Sequence, residues 1–380
     1  MKNKKNILLF IEAWLPYKGG GQIHTKFLVD GLIKNFNCRV TLVTRKLKIN
    51  NKYYLSNESQ HNGLLKIYRI GLATDFDNII GKLSWVFKCI IFTRKKEYDI
   101  VHAMPNLGAM PGKIVSISKN IPIIFSIQGS TFHDKIFWYN FIKRVKHWTL
   151  LFVQTKVNYN AIISDSSKIN SYFKNKNLFV IHNGIELKMF KNNTIRKNKI
   201  FKLLFIGRLH EQKGLPYLIK AVKKNIDSGH ELDLTIVGEG NQKEKLLSLV
   251  NDFNLNENVF FIGEKKHSEL PKIYNSADLY VLPSLFEGQP ISLLEAWGAK
   301  LPVLVTDCGE NSKMVDNDIN GWTVPIRDSE ALATAISYAM SMNKKDLLKI
   351  GLNGYNEVLK NYTWEKTIKK IYDVYNQSID

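Results

Sequence analysis

The sequence predicts an α/β protein of two doubly wound parallel sheets, and three observations predict it. Short apolar runs of strand length alternate with stretches of helix length through nearly the whole chain. The alternation is interrupted once, at residues 191–199, where the chain is polar, basic and without periodicity. The length of 380 residues also exceeds what one hydrophobic core usually organises, so about two domains are expected.

In chain order, strands are expected at residues 7–12, 39–44, 65–70, 100–103, 121–127, 161–164 and 179–182, with helical stretches between most of them, the first at 23–33. After the linker come strands at 201–207, 232–237, 259–262, 279–282, 303–306 and 322–324. Helices open near Gly214, Asn241, Ser268, Pro290 and Ser329. A last helix, 364–377, follows the break Asn361-Tyr362-Thr363. The division is therefore an amino-terminal domain 1–190 and a carboxyl-terminal domain 191–361.

Composition narrows the class. No apolar stretch is long and clean enough to span a bilayer, and Met1 to Asn6 run directly into the first strand, which leaves no room for a signal peptide. Cys38, Cys89 and Cys308 lie far apart without metal-type spacing, as suits a reducing compartment with no disulfide or zinc site. A cytoplasmic protein is expected. The formal charge of +20 comes mostly from lysine, and the abundance of Lys, Asn and Ile fits an AT-rich genome. The charge is nevertheless uneven. Between Lys135 and Trp148 bases alternate with Phe137, Trp138, Tyr139 and Phe141, and a second such stretch, 82–96, carries Trp85, Phe87 and Phe92 before Arg94-Lys95-Lys96. Such stretches suit either an anionic membrane surface or core helices with a solvated basic face. No nucleic-acid-binding module is present, so nucleic acid is not an expected partner.

The most informative run is Pro283-Ser284-Leu285-Phe286-Glu287-Gly288-Gln289-Pro290-Ile291-Ser292-Leu293-Leu294-Glu295-Ala296. It follows a buried strand, turns at Glu287-Gly288-Gln289-Pro290, and opens a helix over 291–299. Glu295 then lies among apolar neighbours, where a carboxylate is costly unless it is hydrogen-bonded. In open parallel sheets ligands bind beyond the carboxyl ends of strands, where this turn lies. A ribose or a sugar would satisfy both carboxylates. The plain alternative has Glu287 capping the helix and Glu295 paired with a lysine.

A second segment, Phe205-Ile206-Gly207-Arg208-Leu209-His210-Glu211-Gln212-Lys213-Gly214, joins a strand end to a helix start through two cations. Arginine can clamp a phosphate bidentately, lysine supplies a compact charge, and the helix adds oriented N–H groups. A surface ion pair is the alternative. The loop Trp14-Leu15-Pro16-Tyr17-Lys18-Gly19-Gly20-Gly21-Gln22 follows the first strand, and its glycines let backbone approach a ligand closely, although a tight turn needs them as well. Glycine turns also end the strands at Val237-Gly238-Glu239-Gly240 and at Phe261-Ile262-Gly263-Glu264.

Together these segments resemble the family 4 retaining glycosyltransferases, over nearly the whole chain. The resemblance implies the GT-B fold, two Rossmann-like domains facing a central cleft, with the terminal segment 362–380 completing the amino-terminal domain. It places Gly19, Gly20, Gly21, Arg208 and Lys213 at the donor diphosphate, Gly238 and Ile262 at the base, Glu287-Gly288-Gln289-Pro290 at the transferred sugar and Glu295 at the ribose. Glu287, Arg208 and Lys213 are the implied catalytic residues. His24, His102, Gln128 and His133 are acceptor-side candidates, and Ile181-His182-Asn183-Gly184-Ile185-Glu186, with Phe190, is expected to be structural.

Several positions depart from the family pattern. Gln128 stands where many relatives carry histidine, and it can hydrogen-bond a hydroxyl but cannot take a proton. Met104, Lys300 and Lys313 replace a second histidine, a turn glycine and a glutamate. The resemblance implies transfer of a sugar from a nucleotide-sugar to a glycan or polyprenyl-linked glycan in bacterial surface polysaccharide synthesis, with neither metal nor cofactor. An epimerase, a phosphorylase or a catalytically idle glycan-binding subunit are the alternatives. Asp316-Asn317-Asp318 reads as an acidic turn rather than a metal site.

Overall fold

The computed structural model describes residues 4–17, 20–49, 52–54, 56–127, 154–167, 173, 177–190 and 200–379. The chain forms two compact units, Met1–His182 with Trp364–Asp380, and Asn183–Thr363.

The first unit runs β1 (Asn6–Phe10), α1 (Gly20–Phe36), β2 (Arg39–Ile49), β3 (Lys52–Tyr54), β4 (Glu58–Gln60), β5 (Leu65–Thr74), α2 (Ile79–Thr93), β6 (Ile100–Ala103), α3 (Ala109–Lys119), β7 (Ile123–Ile127), β8 (Ala161–Ser164) and β9 (Leu178–Val180). The strand order is β4-β5-β2-β1-β6-β7-β8-β9, with β3 paired off β2. β3 and β4 are antiparallel to their neighbours, and the remaining pairs are parallel. The pleat of β1 divides the core. Ile7 and Leu9 face Leu28 and Leu32 of α1, while Leu8 and Phe10 face Trp85 of α2 and Val115 of α3. Burial on both faces is why this strand reads as an unbroken apolar run.

The second unit runs β10 (Phe201–Ile206), α4 (Leu215–Asp227), β11 (Leu232–Val237), α5 (Lys243–Asp252), β12 (Val259–Phe261), α6 (Leu270–Ser276), β13 (Leu279–Leu282), α7 (Ile291–Gly298), β14 (Val303–Thr306), α8 (Asn311–Met314), β15 (Trp322–Val324), α9 (Ser329–Ser341) and α10 (Lys344–Asn361). Its sheet is parallel throughout, in the order β12-β11-β10-β13-β14-β15. Counted along the chain this is third, second, first, fourth, fifth, sixth, the doubly wound order whose direction reverses between β10 and β13. The final helix, α11 (Trp364–Ile379), buries Ile368, Ile371 and Val374 in the first unit's core. Its Ile368 packs so closely on α1 that a Cβ at Gly31 would lie 2.0 Å from it.

Two sequence expectations change. The crossing between units falls after His182 rather than after residue 190, because Ile185 and Phe190 belong to the second core and the Ile185 amide donates to Tyr362 O at 2.9 Å. Residues 191–199, the expected linker, lie outside the described residues. Between the expected strands 39–44 and 65–70, where no strand is expected, the chain forms the short strands β3 and β4 and a 3-10 turn at His61–Gly63. Both strands are polar and largely exposed, so they leave no apolar period to read.

Candidate active site

The carboxyl ends of β10 and β13, the neighbours at the reversal, bring the two leading motifs together. Lys213 Nζ lies 2.5 Å from Glu287 Oε1, and Ser284 Oγ donates to the same oxygen at 2.6 Å. Glu287 is 7% exposed, so its charge is held by these two partners in a site closed to most water. Backbone laces the two loops together. The Leu285 amide donates to Gln212 O at 2.8 Å, and Gln212 Nε2 donates to Phe286 O at 2.8 Å. Gly214, at φ 62°, passes so near that a Cβ there would meet Pro283 O at 2.0 Å.

Arg208 is exposed, and its guanidinium makes no hydrogen bond or ion pair among the described residues. The next strand end supports its loop: Leu209 N donates to Glu239 O and Gln242 N to Leu209 O, both at 3.0 Å. A Cβ on Gly238 would lie 1.9 Å from Gly207 O, so the turn after β11 lies directly against the turn after β10. Gly238 N in turn donates to Gly263 O at 3.0 Å, next to the half-exposed Ile262. The Gly288 carbonyl accepts from Glu310 N at 3.1 Å, while Gln289 Oε1 accepts from Asn183 N at 2.5 Å. Pro290 sits at the N-cap of α7 with extended backbone, which starts the helix at Ile291.

Glu295 occupies a different environment from Glu287. Its Oε1 meets His267 Nε2 at 2.7 Å, and its Oε2 accepts from Tyr274 OH at 2.9 Å. The hydrogen bond to Glu295 raises the His267 pKa above 6.5 against the opposing effect of burial. Burial first, and Glu295 second, push the Tyr274 phenol well above its usual range, so it stays a donor. The carboxylate among apolar neighbours is thus satisfied by protein groups, neither of them the lysine of the plain alternative. His267 and Tyr274 were not picked out from the sequence, since they lie 28 and 21 positions from Glu295. Ser284 was legible as the hydroxyl three positions before Glu287.

The remaining candidates divide. His102 is a core residue: it is fully buried, its Nδ1 meets Tyr375 OH and its Nε2 meets Ser126 Oγ, both at 2.6 Å, and burial holds its pKa down to about 3. His24 is buried edge-on against Trp364 with its pKa likewise pushed down to about 3, so it is neutral at physiological pH. Gly20 opens α1 with open space where a Cβ would stand, and Gly21 O accepts from Thr25 Oγ1. Gly19, Gln128, His133 and the stretch 135–148 lie outside the described residues. In the acidic turn, Asp318 accepts from Trp322 Nε1 and Asn317 from Thr323 N, each at 2.8 Å. Away from these strand ends, a cavity of 630 Å³ lined by Arg39, Lys66, Tyr68 and Lys96 opens in the first unit at the amino ends of β2 and β6, the end open sheets do not ordinarily use for ligands.

Residues 186–357 match the family model described as Glycosyl transferases group 1. The glycosyl transferases group 1 match thus spans most of the second unit. The match contains Arg208, Lys213, Glu287 and Glu295. The chain is also similar to the UDP-Gal:alpha-D-GlcNAc-diphosphoundecaprenol alpha-1,3-galactosyltransferase of Escherichia coli, with 26% identity over 80% of each chain. In three dimensions it resembles sucrose-phosphate synthase from Thermosynechococcus elongatus, with a TM-score of 0.82 at 20% identity over 98% of this chain and 99% of that one. Anabaena HepE, solved in complex with UDP-glucose, superposes with a TM-score of 0.75 at 17% identity over 98% and 99%. The fold is GT-B.

Proposed function

We propose that this glycosyltransferase acts with retention and without a metal ion, moving a sugar from a nucleotide donor to a hydroxyl of a polyprenyl-linked glycan in surface polysaccharide assembly. The observation that carries the reading is the Lys213–Glu287 pair at the reversal of the second sheet, flanked by the exposed Arg208 and closed glycine turns. Arg208 and Lys213 take up the charge that grows on the departing diphosphate, which in a water-poor site is the larger part of the catalytic task. Glu287 accepts hydrogen bonds from hydroxyls of the transferred sugar, and Glu295 from those of the ribose. The acceptor oxygen bonds to the anomeric carbon on the face from which the diphosphate leaves, and its proton passes to that diphosphate.

A nucleotide donor is in keeping with the UDP-glucose complex of HepE, and a lipid-linked acceptor with the name of the Escherichia coli relative. The proposal places the reaction at the cytoplasmic face of a membrane; no helix among the described residues is long and apolar enough to cross one. The purified protein, incubated with radiolabelled nucleotide-sugars and a membrane extract, is expected to move label into the lipid fraction, and Glu287→Ala to abolish the transfer. Label that stays in nucleotide form with every donor, or undiminished transfer by the variant, overturns the proposal.

A further inference from the structure

α2 is built the wrong way round for a helix that faces water. Its buried side carries Gly81, Trp85, Cys89 and Thr93, as a helix on a sheet should. Its outer side carries Ile79, Ile80, Leu83, Phe87 and Ile91, all at least half exposed, with Ile80 at 67% and Phe87 at 65%. At 100° per residue these five lie within one third of the circumference and run the length of a helix of about 22 Å. α3 packs on the same side of the first sheet, since Trp85 and Val115 share one core cluster, and it exposes Met110, Ile114 and Ile117 at the same helical spacing. No described residue covers either stripe. A monomer that stays in water does not maintain a contiguous apolar face of this size without a use for it.

Charge chooses the occupant. Neither helix contains an acidic residue. At their carboxyl ends Lys119 Nζ donates to Arg94 O at 3.2 Å, which sets Lys119 beside the exposed Arg94 and Lys95. Asp75 and Asp77 lie before the first turn of α2, at the opposite end. We propose that the outer faces of α2 and α3 form a docking surface for an anionic lipid bilayer, with the apolar stripes entering the headgroup boundary and Arg94, Lys95 and Lys119 meeting lipid phosphates. The sequence left the stretch 82–96 open between a membrane contact and a core helix with a solvated basic face. The solvated face instead carries the apolar stripe, with Lys88 exposed on the helix and Arg94 and Lys95 exposed at its end.

The inference deepens the lipid-linked acceptor proposed above, and its test separates the two. The full chain is sedimented with phosphatidylcholine vesicles with and without phosphatidylglycerol, at low and high salt, and calorimetric binding of UDP is measured on the same preparations. Wild type is expected on anionic vesicles, more weakly at high salt because the Debye length shortens. Leu83→Ser with Phe87→Ser, outward side chains with no part in the core, should lower partitioning about tenfold or more while leaving UDP binding unchanged. Arg94→Gln with Lys95→Gln should remove the preference for anionic lipid. Vesicle binding undiminished in the serine variant overturns the proposal. So does a soluble dimer that the serine variant dissociates, which would assign the face to a protein contact. Loss of UDP binding by wild type would instead count against the proposed function and leave the docking surface standing.

Discussion

Lys213 and Glu287 neutralise each other in the free protein. With side chains only 14% and 8% exposed, the pair resembles a buried ion pair, and removing one partner from such a pair typically costs about 3–5 kcal/mol. Lys213→Ala therefore mixes loss of function with loss of stability. Arg208, exposed at the mouth of its loop, does not. Glu295 offers a second, separable reading. Its His267 partner has a raised pKa, so the pair's contribution to stability is full below pH 6.5 and is lost as pH rises through the raised value. A ribose that takes Glu295 Oε1 from His267 would release that proton. UDP titrated calorimetrically in two buffers of different ionisation heat is predicted to show proton release between pH 6.5 and the raised value, absent in His267→Gln. No proton release in wild type would remove Glu295 from the ribose site.

At the scale of elements, the site depends on turns that only glycine can make. Gly309 has φ 62°, and a Cβ there would lie 2.0 Å from Glu287 O, so this turn presses directly on the motif's turn. Gly229 also has positive φ, at 85°, but nothing stands within 4 Å of its Cβ position. Both alanine variants should lose about 1–2 kcal/mol for the left-handed backbone. Only Gly309→Ala should also lose turnover, because it displaces Glu287. Equal turnover in the two variants would show that the Glu287 turn tolerates displacement. Legibility followed burial here. β6, β8, β11, β13, β14 and β15 match the sequence expectation to the residue, and four of them, β6, β8, β13 and β14, are buried at every position, as strands covered on both faces are. β3 and β4 were invisible because short, exposed edge strands carry no such run. His102 lies in one of the legible strands, between Val101 and Ala103, and that setting already spoke for the core.

For the whole molecule, the doubly wound order explains why residues 74 positions apart share one hydrogen bond. The sequence showed alternating elements and two charged loops but not that β10 and β13 are neighbours, since strand order is a long-range property. The buried Glu12–Arg45 pair after β1 was illegible for the same reason. Its two residues lie 33 positions apart, one in the bend after β1 and one on β2, and meet at 2.9 Å. The central claim, that cations beyond β10 stabilise a departing diphosphate, is tested most directly by the turnover of Arg208→Ala, measured as nucleoside diphosphate released and accompanied by a thermal melt. The account predicts a fall on the order of a hundredfold or more with an unchanged melting midpoint, as loss of a preorganised charge contact typically gives. Wild-type turnover in a fully folded variant would contradict it.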